Sequence, residues 1–262
     1  MKLKNYEFKS DPYQHQLDTL KSSAHRNLFA LFLEMGLGKS KILLDNAGML
    51  FEEGKISGLL IVSPKGNLNN WDSNEISRHL PERIKRNVLV WQPNHTQRWT
   101  KAFKDMVQND STGVLNIFLV NVEAFATVKA CTHVEEFLVT HDAMMAIDES
   151  TTIKNPKAKR TKHLIKLGPL ADYRRILTGF PITKAPLDLY SQCYFLSPNL
   201  LGFSSFYAFQ ARYAITQSRQ MGRHAFQQVM GFQKLDELQE SIKDFSIRRR
   251  KEECLDLPPK VY

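Results

Sequence analysis

LFALFLEMGLGKSKILLDNAGML (residues 28–50) decides how the chain is read. The apolar run Leu28–Leu33 leads into a loop holding Gly36 and Gly38, and Lys39-Ser40 opens a segment with helical apolar spacing. A continuous apolar run marks a strand buried on both faces, as in a parallel sheet covered by helices. Glycines between such a strand and a helix let backbone N–H groups close around phosphate oxygens, and the helix N-terminus adds partial positive charge. Lys39 would then reach the β- and γ-phosphates, and the Ser40 hydroxyl would bind Mg2+. The strict form of this loop, G-x-x-x-x-G-K-[ST], asks for one more glycine where this chain has Leu33. The competing reading is a glycine-rich turn capped by a surface Lys-Ser pair.

Further apolar runs follow: GLLIVS (58–63), NVLVWQ (87–92), LNIFLV (115–120), DAMMAID (142–148) and RRILTG (174–179). Helical patterns lie between them, over 39–53, 67–79 and 97–109. Strand–helix alternation predicts an α/β, doubly wound, mainly parallel sheet. DAMMAIDES ends its strand in Asp148 and Glu149. An acid at the C-terminal end of a strand beside a phosphate loop can hold Mg2+, directly or through water. The adjacent carboxylate can polarise an attacking water. In ILTGFPI (176–182), the Thr178 hydroxyl and the tight turn at Gly179 and Pro181 could sense the occupied site. Together these elements predict ATP hydrolysis chemistry resting on Lys39, Asp148 and Glu149, with Mg2+ at Ser40 and Asp148.

With 42% hydrophobic and 24% charged residues, the chain is expected to be a soluble folded protein. Its 262 residues suit one large domain or a domain with a helical appendage. No apolar run approaches the roughly 18 residues of a membrane helix. MKLKNYEFKS has no apolar signal core, so an intracellular, cytoplasmic protein is expected. The three cysteines, Cys131, Cys193 and Cys254, are scattered and form no C-x-x-C pair, which argues against a disulfide framework or a cysteine zinc site. Cys131 and His133 lie close together in CTHVEEF, but no second ligand pair follows. The net charge of +9 suits a polyanionic partner. Beyond Pro186 the texture changes: aromatics crowd, strand-like runs stop, 232–245 reads as helical and QSRQMGRH (217–224) as a polar loop. The chain therefore divides into an α/β domain over 1–184 and a helical extension over 185–262.

The motifs in order are DPYQHQLDTL (11–20), EMGLGKS (34–40), LLIVSPKGNLNNWDSNEI (59–76), IDESTTIKNPKAKRTKHL (147–164), LTGFPI (177–182), LSPNLLGFSSFYAFQARYA (196–214) and FSIRRRKEECLDLPPK (245–260). Over nearly the whole chain this succession resembles the RecA-like N-terminal motor lobe of Swi/Snf-type superfamily 2 DNA helicases and translocases. The resemblance implies that Gln16, rather than Gln14, reads adenine. It implies that Gly36, Leu37, Gly38, Lys39 and Ser40 form the ATP loop, whose first glycine that family also lacks, although it usually carries an acid at the position of Leu33. Pro64, Trp71 and Glu75 stand at the family's motif Ia positions. IDESTTIKNPKAKRTKHL resembles the family's motif II and LTGFPI its motif III; Thr151 replaces a histidine that bridges the two, and its hydroxyl could keep that link. Phe180 replaces a threonine of motif III, and both departures resemble variation in a bacterial or viral branch. Thr151, Thr178 and Gly179 would then couple the two motifs.

Lobes of this kind grip the phosphate backbone of DNA, here expected to be double-stranded. Candidate contacts follow strands: Pro64, Lys65 and Gly66 after the second, and Asn121 after the fourth. KNPKAKRTKHLIK (154–166) is the densest basic stretch, with Lys159, Lys162 and Lys166 on one helical face. RRRK (248–251) could pair with acids at a lobe interface. Trp71, spaced i, i+3 from Leu68, reads as core. No second α/β half follows DLPPKVY, so the resemblance implies a motor half that alone hydrolyses ATP weakly or not at all. The alternative is a non-catalytic DNA-binding or docking module that keeps the fold. The acid pair, motif III and the helical tail argue against a small-molecule kinase.

Overall fold

The computed structural model describes residues 6–108, 113–221 and 224–254. The start of MKLKNYEFKS, residues 109–112, residues 222–223 and the chain from Leu255 onward lie outside the described residues. Each apolar run forms a strand: β1 (Leu28–Leu33), β2 (Gly58–Ser63), β3 (Arg86–Val90), β4 (Leu115–Asn121), β5 (Ala143–Asp148) and β6 (Tyr173–Thr178). A seven-stranded sheet runs in the order β3-β4-β2-β5-β6-β1-β9, every neighbouring pair parallel. Its last member, β9 (Ser246–Arg249), comes from far along the chain.

The continuous apolar runs are explained by the pleat, which sends alternate side chains to two separate cores. Phe29, Leu31, Leu59, Ile61, Ile117, Leu119 and Met144 face one core. Ala30, Phe32, Leu60, Val62, Phe118, Val120, Met145 and Ile147 face the other. The first face is covered by α1 (Gln14–Ser23), α2 (Lys39–Glu52), α3 (Lys65–Asn70) and α4 (Ile76–His79), through residues such as Leu20, Leu43, Leu68 and Ile76. The second is covered by α5 (Gln97–Gln108), α6 (Val128–Thr140), α7 (Lys159–Leu167) and α8 (Leu189–Leu196), through Trp99, Phe103, Phe137, Leu164 and Phe195. The doubly wound α/β expectation is met. Among the described residues no helix is long and apolar enough to cross a membrane.

Two local expectations are corrected. The helix expected over 67–79 starts at Lys65 and widens into a π-turn over Trp71–Glu75 before continuing as α4. Strands also do not stop after Pro186. Beside α9 (Phe206–Tyr213), α10 (Leu235–Ile242) and α11 (Lys251–Cys254), the later chain forms β7 (Ala214–Met221) and β8 (His224–Phe232), which pair antiparallel. QSRQMGRH is therefore largely strand rather than loop. Its polar residues gave no apolar alternation, because Ile215 to Gln220 are all exposed and neither face packs on a core. SIRR of β9 is short and charged, as edge strands tend to be. It still pairs with β1, from Ala30 opposite Ser246 to Leu33 opposite Arg249.

Arg175 of β6 is 1% exposed and serves as an internal tie. It donates to Ser23 O at the end of α1 (3.0 Å), Asn27 O at the entry to β1 (3.2 Å) and Asn46 Oδ1 in α2 (3.2 Å). Burial pulls its guanidinium down to about 9. Replacing Arg175 with methionine should leave these acceptors without their donor and cost about 3 kcal/mol. Urea unfolding measures this, and a loss below about 1 kcal/mol would show that the acceptors find other partners.

Candidate functional site

Because the strands are parallel, their C-terminal ends share one edge, the usual location of ligand crevices in such sheets. Leu33, Ser63, Asn121, Asp148 and Thr178 end their strands there. Register makes them neighbours: Phe32 lies opposite Thr178, Ser63 opposite Asn121 and Asp148 opposite Leu177.

The loop after β1 turns through left-handed backbone at Gly36 (φ 85°) and Gly38 (φ 80°). The left-handed backbone at Gly38 is what calls for glycine, and an added Cβ there would also meet the end of the Gln16 side chain. Gln16 is buried, accepts from Tyr13 N (3.0 Å) and donates to Leu37 O (3.3 Å). Gln14 faces outward and donates to Asp18. Lys39 starts α2, and its ammonium donates to Leu33 O at 3.0 Å. The residue that breaks the strict loop pattern thus contributes its carbonyl to the lysine, while its side chain is fully buried. Leu37 is also fully buried and can offer a ligand only its backbone.

Asp148 is held on both oxygens. Oδ2 accepts from Ser63 Oγ (2.9 Å) and Trp71 Nε1 (3.1 Å), and Oδ1 from Glu149 N (3.0 Å). Trp71 is core, as expected from its spacing, and the π-turn also places its indole N–H on this acid. Glu149 has φ 47°, a strained conformation for a non-glycine residue and of a kind that clusters at functional sites. Thr178 Oγ1 donates to Glu149 Oε2 at 3.2 Å. Burial raises the Glu149 carboxyl, with the Asp148 charge adding to it, while Lys39 opposes. Burial likewise lowers Lys39 against the pull of Glu149 and Asp148. These residues therefore form one half-buried electrostatic cluster, able to take a polyanion and its counter-cation.

Motif II is joined to motif III partly as expected, through Thr178, but not through Thr151. Among the described residues the Thr151 hydroxyl has no hydrogen-bond partner. The link runs instead through Thr178 and through Ser150, whose Oγ donates to Gln192 Oε1 (2.7 Å). Gln192 Nε2 in turn donates to Pro181 O (2.8 Å) and Asp188 O (2.8 Å). Gly179 packs on the phosphate loop, where an added Cβ would lie 3.4 Å from Leu33 O and from Met35 N.

A cavity of 560 Å³ opens over the loop, lined by Ser10, Asp11, Tyr13, Gln16, Gly36, Gly38, Lys39, Ser40, Lys41, Glu75, Arg78 and His79. A larger one of 900 Å³, with Ser57, Val114 and Asp142 in its wall, lies at the opposite ends of the strands and touches none of the predicted site residues. Ser63, Tyr13 and Arg78 carried no signal of their own in the sequence. Lys251 was visible only as part of a charge run. Its backbone N–H donates to Glu34 Oε2 (2.9 Å), and a methyl on Gly36 would lie 3.6 Å from its Nζ.

The candidate nucleic-acid residues lie on neighbouring elements. Pro64 precedes α3, Lys65 and Gly66 are exposed, and Asn121 donates to Glu123 Oε2 at 3.0 Å. Lys159, Lys162 and Lys166 are exposed on α7. That helix is tied to the turn after β4 by the His163 Nδ1 contact with Phe125 O (2.7 Å).

The chain belongs to the SNF2-related domain family, whose model matches residues 15–262. It is 30% identical over 229 residues to the DNA annealing helicase and endonuclease ZRANB3 of Bos taurus, covering 87% of this chain and 20% of that protein. It is 40% identical over 118 residues to the TATA-binding protein-associated factor 172 of Homo sapiens, covering 44% of this chain and 6% of that protein. The Sulfolobus solfataricus SWI2/SNF2 ATPase core, solved in complex with dsDNA, superposes with a TM-score of 0.68 at 24% identity. The match covers 96% of this chain and 47% of that one, and it shows a shared fold. The chain spans only a fifth of the bovine relative's length.

Trp71→Phe keeps an aromatic ring in the core and removes one donor from Asp148. Magnesium-dependent ADP affinity should fall about five-fold, the worth of one hydrogen bond of ~1 kcal/mol, with little change in melting temperature. Equal affinities in a titration would assign Trp71 to packing alone.

Proposed function

We propose that the chain is the ATP-binding lobe of an ATP-driven translocase on double-stranded DNA. The observation that carries this is geometric. Lys39 is bonded to the end of β1, Asp148 and Glu149 stand at the end of β5, and Glu149 is tied to Thr178 at the end of β6, the strand between β1 and β5, beside a phosphate-type loop. In this reading Gln16 holds the adenine edge, with Tyr13 and Arg78 in the same cavity wall. The backbone of Gly36, Leu37 and Gly38, together with the Lys39 ammonium, takes the phosphates.

The donors suit Mg2+: a hydroxyl at Ser40 and a carboxylate at Asp148 are hard oxygen ligands. Among the described residues no group of three or more His, Cys, Asp or Glu could hold a metal. An ion held by these two side chains together with phosphate oxygens and water would neutralise phosphate charge. Glu149, made more basic by burial and oriented by Thr178, would take the proton of the attacking water. Hydrolysis coupled to movement is proposed for the complete protein, in which a second lobe supplies cations across the cleft. Thr178 and Gly179 would pass the state of the site to motif III; the observed contacts do not give Thr151 a share in this.

The DNA partner is supported by the wording of the relatives: an annealing helicase, and an archaeal core solved with dsDNA. The exposed Lys65, Lys159 and Lys162, with Pro64, Gly66 and Asn121, would contact the backbone. The second reading, a docking module without a cycle, draws on the unpartnered Thr151 hydroxyl and the exposed Phe180. Titration of Mg-ADP separates the two. Lys39→Ala should lose at least about ten-fold in affinity, and equal affinities would remove the phosphate-loop reading. Lys65→Ala should weaken duplex binding at every sequence and reduce the salt slope by about 0.9. An unchanged slope would remove Lys65 from the footprint.

A further inference from the structure

The β7–β8 ribbon serves neither the cleft nor the core. Ile215 to Gln220 are exposed in unbroken succession. Successive strand residues face opposite sides, so β7 is open on both sides, and on β8 Gln227 and Met230 are exposed as well. A lone two-stranded hairpin is marginal in water, yet the base of this one is firmly held. Tyr213 is buried and its hydroxyl donates to Glu237 Oε1 (3.1 Å), which Arg212 Nε also contacts (2.9 Å). Gln233 N donates to Tyr213 O (2.9 Å), and Gln233 Nε2 to Arg212 O (3.1 Å). An arm fixed at its root and wet on both sides is suited to entering something else.

Its composition indicates what. The two strands, Ala214–Met221 and His224–Phe232, contain Arg219 and His224 and no aspartate or glutamate, although the chain has 27 acids. Gln217 lies opposite Gln228 and Ser218 opposite Gln227, so amides and hydroxyls line up across the strands. The ribbon also continues the basic surface. It leaves directly from α9, where Lys157 Nζ lies 5.8 Å over the Tyr207 ring, and Lys157 belongs to the basic stretch leading into α7.

We propose that the β7–β8 ribbon inserts into the major groove of duplex DNA, giving the lobe a second grip besides its backbone contacts. This deepens the DNA reading above and rests on it. Paired strands sit about 4.8 Å apart. With side chains on both faces the ribbon fills a groove about 12 Å wide and is too broad for one about 6 Å wide. Glutamine and serine can donate to or accept from base edges without demanding one sequence, and arginine adds charge.

The test uses this chain and a short fluorescent duplex, with Gln217→Ala, Arg219→Ala and Gln227→Ala combined in one variant. Mg-ADP affinity reports folding, since none of the substituted residues lies near the loop. Duplex affinity should fall about ten-fold with Mg-ADP affinity unchanged. Methyl green, which occupies the major groove, should weaken the parent protein and leave the variant unaffected, whereas netropsin in the minor groove should affect neither. If parent and variant bind duplex equally, the ribbon is not a DNA element and the DNA reading stands. If the parent binds Mg-ADP but no duplex, both fail. Competition by netropsin alone, or ribbon-dependent binding of single-stranded RNA in place of duplex, would also overturn the proposal.

Discussion

A parallel sheet must have both faces buried, because each crossover lays a helix on one of them. Most of this molecule follows from that constraint. It makes the central strands largely apolar, divides their side chains between two cores, and, apart from ties such as Arg175, concentrates polar chemistry at the strand ends. Since all the strands point the same way, those ends gather on one edge, and residues far apart in the chain become neighbours. Ser63, Trp71 and Asp148 meet for this reason.

The same constraint decides what could be read without coordinates. The strands from Leu28 to Thr178 were legible because burial on both faces leaves an unbroken apolar run. The loop at Gly36–Ser40 was legible because its chemistry is local. Legibility failed where structure depends on a distant partner. β9 is four residues, half of them charged, and only its pairing with β1 makes it a strand. β7 from Ile215 to Gln220 has no buried face to write a period into the sequence. Trp71 was read as core from its spacing, and so it is, but its bond to Asp148 depends on a π-turn that no spacing announces.

Within the site, the largest departure from expectation is how the acid pair is connected. Losing a histidine at position 151 has not isolated it. Glu149 reaches Thr178 directly, and Ser150 reaches the turn after β6 through Gln192, which is fully buried. A glutamine with both ends bonded behaves as a rigid strut: its amide cannot rotate without breaking contacts at Ser150, Pro181 or Asp188. Motif II and motif III are thereby locked at fixed separation by a side chain from a helix outside both.

Lys251 links the charge at the phosphate loop to the edge of the sheet. The lysine lies against Gly36 of the phosphate loop, and it is carried there by β9, the outermost strand, bonded to the sheet along only one side. Edge elements with a single neighbour are among the first to open. Two attachments hold that charge in place, the pairing of β9 with β1 and the bond from the Lys251 N–H to Glu34. Opening of this edge would withdraw a positive charge from the loop, so the field over the phosphates depends on the integrity of the last strand.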